Sequence, residues 1–245
     1  MRATWPTLLP LLAGLALGGI ARAAAPAQEI VFVAPTNLTM PLARFESEQL
    51  SGGILKDLGE AIAQRLGLQP RFVTQPSKRV GPALQQGKAD GVCYVLPHWL
   101  EGSYNWSVPV IPNAGLVVAH GDAPAARAVA DFADKPLGTV LGYRYPQFEQ
   151  PLGSHFVRDD APTMEANLRK LAAGRIKYAI IEQNTLAYFL RSNPGVPLKG
   201  ILQVAHYTTQ CAFSRESKLP FAEVNKAIGG LVTDGSVERI LTRYR

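Results

Sequence analysis

The chain has 245 residues, of which 47% are hydrophobic and 18% are charged, and its formal net charge is +6. This composition is typical of a globular protein and argues against extensive disorder. Basic residues cluster locally only at Lys78-Arg79 and at Arg239, Arg243 and Arg245. Nucleic-acid binding would require a denser basic stripe, so no nucleic-acid partner is expected.

The N-terminus has the pattern of a secretory signal peptide. Arg2 precedes a mostly apolar stretch at 8–20, and small residues follow in Ala21-Arg22-Ala23-Ala24-Ala25. A membrane anchor is the alternative, but the apolar stretch is shorter than the roughly 20 residues that a spanning helix needs. We therefore expect residues 1–25 to be removed by cleavage after Ala23 or Ala25, and the mature protein to be periplasmic.

Predicted strands and helices alternate in the first half of the mature chain. In order they are a strand at 30–34, a helix at 54–66, a strand at 71–74, a short helix at 77–87 and a strand at 91–96. Gly67 is predicted to end the first helix in the left-handed conformation, and Ser77 to cap the second. The β-α-β-α-β order predicts a parallel sheet with right-handed crossovers.

The second half repeats this alternation and then returns to strand and helix. The predicted elements are a strand at 137–141, a helix at 163–173, strands at 176–181 and 211–214 separated by a helix at 183–191, and helices at 221–231 and 236–244. Ser236 is predicted to cap the last helix. Segments 108–112 and 206–210 bracket the middle block, which makes them the candidate crossings between two α/β lobes.

Five short segments follow one another along nearly all of the mature chain. They are Gly52-Gly53-Ile54 with Asp57-Leu58, Leu84 with Gly87-Lys88-Ala89-Asp90-Gly91, Asn105-Trp106-Ser107-Val108-Pro109, Leu171 with Gly174-Arg175, and Asn225-Lys226-Ala227 with Leu231 and Asp234-Gly235. In this order, behind a signal peptide, they resemble the extracytoplasmic solute-binding protein family 3. These are the polar amino-acid-type binding proteins of ABC transporters.

The resemblance implies a two-lobed periplasmic-binding-protein-like α/β fold. Each lobe is expected to be a mainly parallel sheet flanked by helices, and two hinge crossings join the lobes. We expect residues 26–110 and 208–245 to form lobe I and residues 111–207 to form lobe II. The expected partners are a small polar molecule in the interlobe cleft and an ABC permease or a membrane sensor, and the protein is expected to be a monomer.

The chain departs from the family pattern at the site that the resemblance implies. Family members that bind amino acids usually carry an arginine after the third strand, which grips the α-carboxylate. Here the corresponding segment, 94–101, contains no arginine. The family's acid for the α-amine corresponds to Glu182. The ammonium site is therefore expected to remain, while the carboxylate clamp is expected to be lost.

Candidate ligand-binding residues lie at the carboxyl ends of predicted strands, where open parallel sheets bind ligands. They are Thr36, Asn37, Tyr94, His98, Trp99, Glu101, Tyr143, Arg144, Tyr145 and Glu182. Arg144 is the predicted replacement for the missing arginine, because a guanidinium forms bidentate bonds to anions. The predicted ligand has an anionic or hydroxyl-rich end, with a cationic end as a further option. Turn formation, packing and helix capping are the structural alternatives for these residues.

Two cysteines, Cys93 and Cys211, remain after export to an oxidising compartment. In the resembled family, the strand that begins at 211 lies beside the third strand. A Cys93–Cys211 disulfide is therefore one expectation, and two buried free thiols are the other. The four histidines show no metal-ligand spacing, so no metal or cofactor is expected.

Three functions are compatible with this fold class. The first is a binding protein that delivers a solute to a permease or sensor. The second is an enzyme like the periplasmic cyclohexadienyl dehydratases, with Glu182 as the general acid. The third is an accessory protein of a periplasmic dehydrogenase. The sequence contains no nucleotide-binding, nucleophile-elbow or zinc-protease motif, which favours a protein that is not an enzyme.

Overall fold

The computed structural model describes residues 1–2 and 28–245, so the cleavage region of the predicted signal peptide lies outside the described residues. The strands are β1 (Glu29–Pro35), β2 (Arg44–Glu46), β3 (Gln49–Gly52), β4 (Gln69–Gln75), β5 (Gly91–Val95), β6 (Asn105–Trp106), β7 (Ile111–His120), β8 (Leu137–Val140), β9 (Arg158–Ala161), β10 (Tyr178–Glu182) and β11 (Leu198–Phe213). The helices are α1 (Ile54–Leu66), α2 (Ser77–Gln85), α3 (Pro146–Leu152), α4 (Met164–Ala172), α5 (Gln183–Ser192), α6 (Phe221–Thr233) and α7 (Ser236–Thr242). None of these helices has the length and hydropathy required to cross a membrane.

Most strands join one continuous sheet with the order β4-β1-β5-β11-β7-β10-β8-β9, and β6 pairs with β11. The pairs made by β-α-β units are parallel, as predicted: β1 with β4 and β5, and β8 with β9 and β10. The pairs that β7 and β11 make are antiparallel. The continuous sheet therefore has two mainly parallel parts, which meet at these two long antiparallel strands.

Both parts of the sheet are buried on both faces, as expected for parallel strands covered by helices. In β1, Ile30 packs on the side of α1, α6 and α7, whereas Val31 packs on the side of α2. In β10, Ile180 packs with Phe148 of α3, whereas Ile181 packs with residues of α4 and α5. The alternation of side chains thus separates the cores above and below each sheet.

The two candidate crossing segments lie side by side. The backbone N–H of Val110 donates to the carbonyl oxygen of Thr209 at 2.7 Å, and the Thr209 hydroxyl donates to the carbonyl oxygen of Ile111 at 3.2 Å. Strand β11 is much longer than the predicted strand at 211–214. Its earlier part is only half-buried and contains two register shifts, so its polar and apolar residues do not alternate regularly.

Helix ends confirm one predicted cap and correct two others. Gly67 ends α1 in the left-handed conformation with a φ of 69°, as predicted. Ser77 and Ser236, however, are the first residues inside their helices, and the N-cap positions are taken by Pro76 and Gly235. Pro76 leaves the helical region through its ψ of 146°, and Gly235 has a φ of 75°, which glycine adopts without strain.

Cys93 and Cys211 face each other across the antiparallel β5–β11 pair. Their Cα atoms are 3.9 Å apart and their Sγ atoms are joined in a disulfide. The bridge links residues separated by 118 positions in the sequence. It therefore connects the end of the first β-α-β-α-β unit to the strand that returns from the second half of the chain.

Candidate functional site

A buried carboxylate lies where β10 approaches the two long strands. Glu182 is the last residue of β10, and only 6% of its surface is exposed. Its Oε2 atom accepts a hydrogen bond from the Tyr94 hydroxyl of β5 at 2.5 Å, and its Oε1 atom accepts one from the Tyr207 hydroxyl of β11 at 3.0 Å. Because separate hydroxyls bind the two oxygens, they fix the orientation of the carboxylate.

Asn113 of β7 connects this carboxylate to the start of α5. Its Nδ2 atom donates to the Tyr94 hydroxyl and, at 3.5 Å, to Glu182. Its Oδ1 atom accepts from the backbone N–H groups of Ala114 at 2.9 Å and Asn184 at 3.2 Å. The network therefore satisfies its own buried polar groups, which makes its geometry well defined.

A β-bulge in β5 sets the direction of the Tyr94 side chain. Cys93 pairs with Cys211 and Val95 pairs with Gln210, so Tyr94 is an extra residue without a partner on β11. Its φ is 68°, in the left-handed region that few non-glycine residues occupy. Cys93 and Tyr94 consequently pack in the same core cluster, whereas neighbours in a regular strand point to opposite faces. Bulges near functional sites often redirect a side chain in this way.

A narrow pocket, with room for about one water molecule, lies beside Glu182. Its other lining residues are Asn37, Leu38, Thr39 and Leu42 from the loop after β1, and Tyr143, Met164 and Thr185 from the second half of the chain. The Asn37 Nδ2 atom donates to the Tyr143 hydroxyl at 2.9 Å and thus bonds the two walls. The Asn37 Oδ1 atom is buried and has no hydrogen-bond partner among the residues that the structure describes.

The loop that carries Asn37 is held against the start of α1. The backbone N–H of Leu55 donates to the carbonyl oxygen of Leu42 at 3.0 Å. Gly53 precedes the helix with a φ of 101°, and a Cβ atom at this position would lie 2.6 Å from the Leu42 carbonyl oxygen. Only glycine permits this close approach. The sequence therefore fixes one wall of the pocket through the glycine at the N-cap of α1.

Burial is the largest cause of the pKa shifts in the site. Desolvation raises the pKa of Glu182 above its ordinary value, and the hydrogen bonds from Tyr94 and Tyr207 oppose this shift. Burial, followed by the charge of Glu182, raises the pKa of Tyr94, Tyr207 and Tyr143. The three phenols therefore stay neutral at physiological pH and act as hydrogen-bonding groups.

The family to which this chain belongs follows from a match over most of its length. Residues 33–245 match the family model described as "Bacterial extracellular solute-binding proteins, family 3". The chain belongs to this family. Among curated proteins, none matches the sequence.

Solved structures of similar fold cover about nine-tenths of this family 3 protein. The ligand-binding core of GluR0 in complex with L-glutamate has a TM-score of 0.73 at 19% identity, with 91% of this chain and 99% of that chain covered. An arginine-specific periplasmic binding protein of Salmonella typhimurium has a TM-score of 0.72 at 15% identity, with 89% and 99% covered. An ancestral amino acid-binding protein, described as a precursor of cyclohexadienyl dehydratase, has a TM-score of 0.70 at 17% identity, with 89% and 95% covered. At these identities the likeness concerns the fold, and it confirms the predicted two-lobed α/β class.

Several of the predicted site residues come together in this solute-binding protein. Asn37, Tyr143 and Glu182 line the pocket, and Tyr94 donates to the Glu182 carboxylate. Thr36 is the exception at the end of β1. It is exposed and does not line the pocket, and its backbone N–H donates to the carbonyl oxygen of Gln75 at 3.0 Å.

The predicted residues after β5 lie outside the pocket. The short 3-10 helix Pro97–Trp99 carries its side chains outward, so that His98 and Glu101 are exposed and do not line the pocket. Trp99 is 39% exposed and packs edge-to-face on Tyr207, with 5.3 Å between the ring centroids. Trp99 therefore supports a residue that binds Glu182 without lining the pocket itself.

Arg144, the predicted replacement for the missing arginine, does not point into the pocket in this structure. Its side chain is 79% exposed, and its Nε atom donates to the Oε2 atom of Glu149 at 3.2 Å. Glu149 lies in the first turn of α3, and its Oε1 atom accepts from the backbone N–H of Tyr145 at 3.0 Å. The carboxylate is thus held at the helix start, where it draws the guanidinium away from the pocket.

Tyr145, another predicted site residue, does not line the pocket. Only 4% of Tyr145 is exposed, and it packs in the core beside β8 and β10. Its hydroxyl accepts from the backbone N–H of Val140 at 2.9 Å, and the guanidinium of Arg158 lies 5.2 Å from its ring centroid. These contacts give Tyr145 a structural role.

Sequence reasoning missed several residues of the site. They are Leu38, Thr39, Leu42, Asn113, Met164, Thr185 and Tyr207. Asn113 and Tyr207 lie in or beside the predicted crossings, so a search of those segments for polar side chains would have found them. Thr185 lies in the first turn of α5, directly after Glu182. A side chain at this position can also reach the carboxyl end of β10. No pattern in the sequence distinguishes the apolar lining residues from other buried apolar residues.

Proposed function

We propose that this protein is a periplasmic solute-binding protein that captures a small polar ligand between two lobes. Lobe I comprises residues 26–110 and 208–245, and lobe II comprises residues 111–207. The captured ligand is then presented to an ABC-type permease or to a membrane sensor. Membership of the extracellular solute-binding family supports this proposal.

The observation that carries the proposal is the pair of hydrogen bonds across the pocket. Tyr94 belongs to the proposed lobe I and donates to Glu182 of the proposed lobe II. Asn37 of lobe I likewise donates to Tyr143 of lobe II. Both bonds lie beside a pocket that is lined from both lobes. Closure of the lobes therefore brings together polar groups that an open form would expose to water.

Closure requires a hinge, and β7 and β11 suit this role because the chain passes between the proposed lobes along these two strands. Small backbone changes in two adjacent strands are sufficient for a hinge motion, and periplasmic binding proteins are a general example of this motion. A ligand favours the closed form only if it binds that form more tightly than the open one. The side chains from both walls provide such additional contacts.

Thermal-shift screening of the mature protein against a broad metabolite panel tests the proposal. The panel includes arginine, glutamine and glutamate, which are named for proteins of similar fold. A ligand at a hundredfold excess over its Kd stabilises the folded state by about 2.7 kcal/mol, so the melting temperature of the wild-type protein should rise. Glu182→Gln should reduce the shift, and Arg144→Ala, which changes an exposed residue outside the pocket, should retain it.

Two results would contradict the proposed binding function. Turnover of prephenate or arogenate by the purified protein would support the dehydratase alternative, for which the buried acid Glu182 is the available proton donor. A stable complex with a periplasmic dehydrogenase, together with no thermal shift for any compound in the panel, would support the accessory role.

A further inference from the structure

The pocket contains an acid without a basic partner. Glu182 is the only ionisable carboxylate among the lining residues, and that lining contains no lysine, arginine or histidine. Arg144, the basic residue predicted for the site, is exposed and pairs with Glu149. Arg158 is also engaged, since it bonds to Asp160 at 2.7 Å and to the carbonyl oxygen of Tyr143 at 2.9 Å.

Hydrogen-bond acceptors on both walls of the pocket remain available. A carboxylate offers about four acceptor positions. Tyr94 and Asn113 occupy two on the Oε2 atom of Glu182, and Tyr207 occupies one on Oε1, so a position on Oε1 remains available. On the facing wall, the buried Oδ1 atom of Asn37 has no partner within the described residues, while its Nδ2 atom is used by Tyr143. The pocket is therefore suited to a ligand that donates hydrogen bonds.

We propose that the ligand is a small alkylammonium or guanidinium compound that carries no α-carboxylate. This inference rests on the proposed binding function. The cationic group is the counter-ion of Glu182 and also donates to the Oδ1 atom of Asn37. The apolar stem packs on Leu38, Leu42 and Met164, which line the same pocket, once the lobes move apart enough to admit the ligand.

Charge explains why such a ligand is selected over an α-amino acid. A buried carboxylate without a counter-ion carries an unfavourable desolvation energy, and a cation of matching geometry offsets it. A ligand α-carboxylate would have no basic side chain to bind among the lining residues and would be repelled by Glu182. This combination excludes the standard amino acids and retains the corresponding amines.

Decarboxylation pairs provide matched probes, because each amine differs from its amino acid by one carboxylate. The mature protein is titrated calorimetrically with agmatine and L-arginine, cadaverine and L-lysine, putrescine and L-ornithine, and ethanolamine and L-serine. We expect at least one amine to bind at least tenfold more tightly than its amino acid. An amino acid that binds as tightly as its amine or more tightly would overturn the inference and leave the proposed binding function intact.

The metabolite panel separates the remaining outcomes. Tight binding of anionic or neutral compounds only would overturn the cation inference while supporting a binding protein. If no compound of either set binds, both the inference and the proposed function are refuted. The failure of the finer proposal is therefore distinguishable from the failure of the coarser one.

Two variants test the assigned contacts on the amine that binds. Glu182→Gln keeps the shape but removes the charge, so affinity should fall at least tenfold. Asn37→Asp adds an acceptor charge on the facing wall and should strengthen the binding of a cation. The control Arg144→Ala should leave affinity unchanged. Unaltered affinity in both Glu182→Gln and Asn37→Asp would overturn the assignment, and the Asn37 variant decides the matter if Glu182→Gln fails to fold.

Discussion

The charge state of Glu182 controls the chemistry of the pocket. The titratable groups that face it are Tyr94 from β5, Tyr207 from β11 and Tyr143 after β8, and burial raises the pKa of each phenol. Phenols ordinarily titrate near pH 10, so none of them changes charge between about pH 4 and pH 8. Glu182 is therefore the one group of the described pocket lining that ionises in this interval.

Binding of a cationic ligand should strengthen as the pH rises. The pKa of Glu182 is raised by burial, so its carboxyl group loses its proton above the ordinary value of about 4.3. The ionised form attracts an ammonium group, and affinity should increase until ionisation is complete. Calorimetric titrations of the amine probe at several pH values check this. In Glu182→Gln the affinity should not depend on pH over the same interval, and affinity that decreases with rising pH would contradict the assignment.

Removing the Tyr94 hydroxyl should destabilise the protein. Tyr94→Phe deletes the donor to the Oε2 atom of Glu182 and the acceptor of the Asn113 Nδ2 hydrogen bond. Hydrogen bonds to charged groups contribute about 1.5–3 kcal/mol, so the free energy of unfolding should fall by about this amount in urea denaturation. Tyr178→Phe removes a hydroxyl bonded to the carbonyl oxygen of Pro124 and should cost only about 0.5–1.5 kcal/mol. If the two variants lost the same free energy of unfolding, the hydrogen bond from Tyr94 to Glu182 would be no stronger than a bond between neutral groups.

At the scale of elements, β5 shows which part of the site the sequence predicts. Tyr94 was a candidate because it lies near the end of a predicted strand. Regular alternation, however, places Tyr94 and Cys93 on opposite faces, and the bulge places them on the same one. The bulge depends on the register with β11, far away in the sequence, so local patterns could not predict it.

The loop after β8 shows a part of the site for which the sequence predicts the position of a residue but not the direction of its side chain. Its position at the end of a strand was predicted correctly, but the direction of Arg144 was not. The long, flexible side chain of Arg144 can turn towards a carboxylate in its surroundings. Glu149 at the start of α3 provides such a carboxylate on the solvent side. Helix α3 was absent from the predicted elements. Its short length and its two prolines, Pro146 and Pro151, obscure the helical pattern.

The pairing of β5 with β11 also predicts the redox state of the cysteines in the exported protein. Cys93 and Cys211 are direct neighbours on the two strands, so oxidation in the periplasm should join them. Thiol labelling of the denatured, non-reduced protein should therefore detect no free thiol. The same sample after reduction should give two per chain and serves as the control. Two reactive thiols without reduction would show that the cysteines are free.

For the whole molecule, the order of strands and helices predicted the fold class well. Two β-α-β blocks separated by polar and proline-rich segments predict two mainly parallel groups of strands joined by two crossings. The way the two halves of the chain meet at the pocket was beyond the reach of sequence patterns. It depends on contacts such as that of Asn37 with Tyr143, which join residues more than a hundred positions apart.

If the contacts across the pocket hold the lobes together, removing them should open the molecule. The double variant Tyr94→Phe/Tyr143→Phe deletes the hydroxyls of both interlobe hydrogen bonds and retains the aromatic packing. Small-angle X-ray scattering of the ligand-free protein should then show a larger radius of gyration than the wild type. A bound ligand should reduce this difference, because it supplies new contacts to both walls and shifts the population towards the closed form.

A matched double variant shows whether opening is specific to these bonds. Tyr104→Phe/Tyr178→Phe removes two hydroxyls that bond within one lobe each, to the carbonyl oxygens of Glu101 and Pro124. Its radius of gyration should equal that of the wild type. An unchanged radius in both double variants would mean that β7 and β11 alone set the angle between the lobes. Closure would then be a property of the two long strands, and the polar groups of the pocket would contribute to ligand binding without controlling the motion.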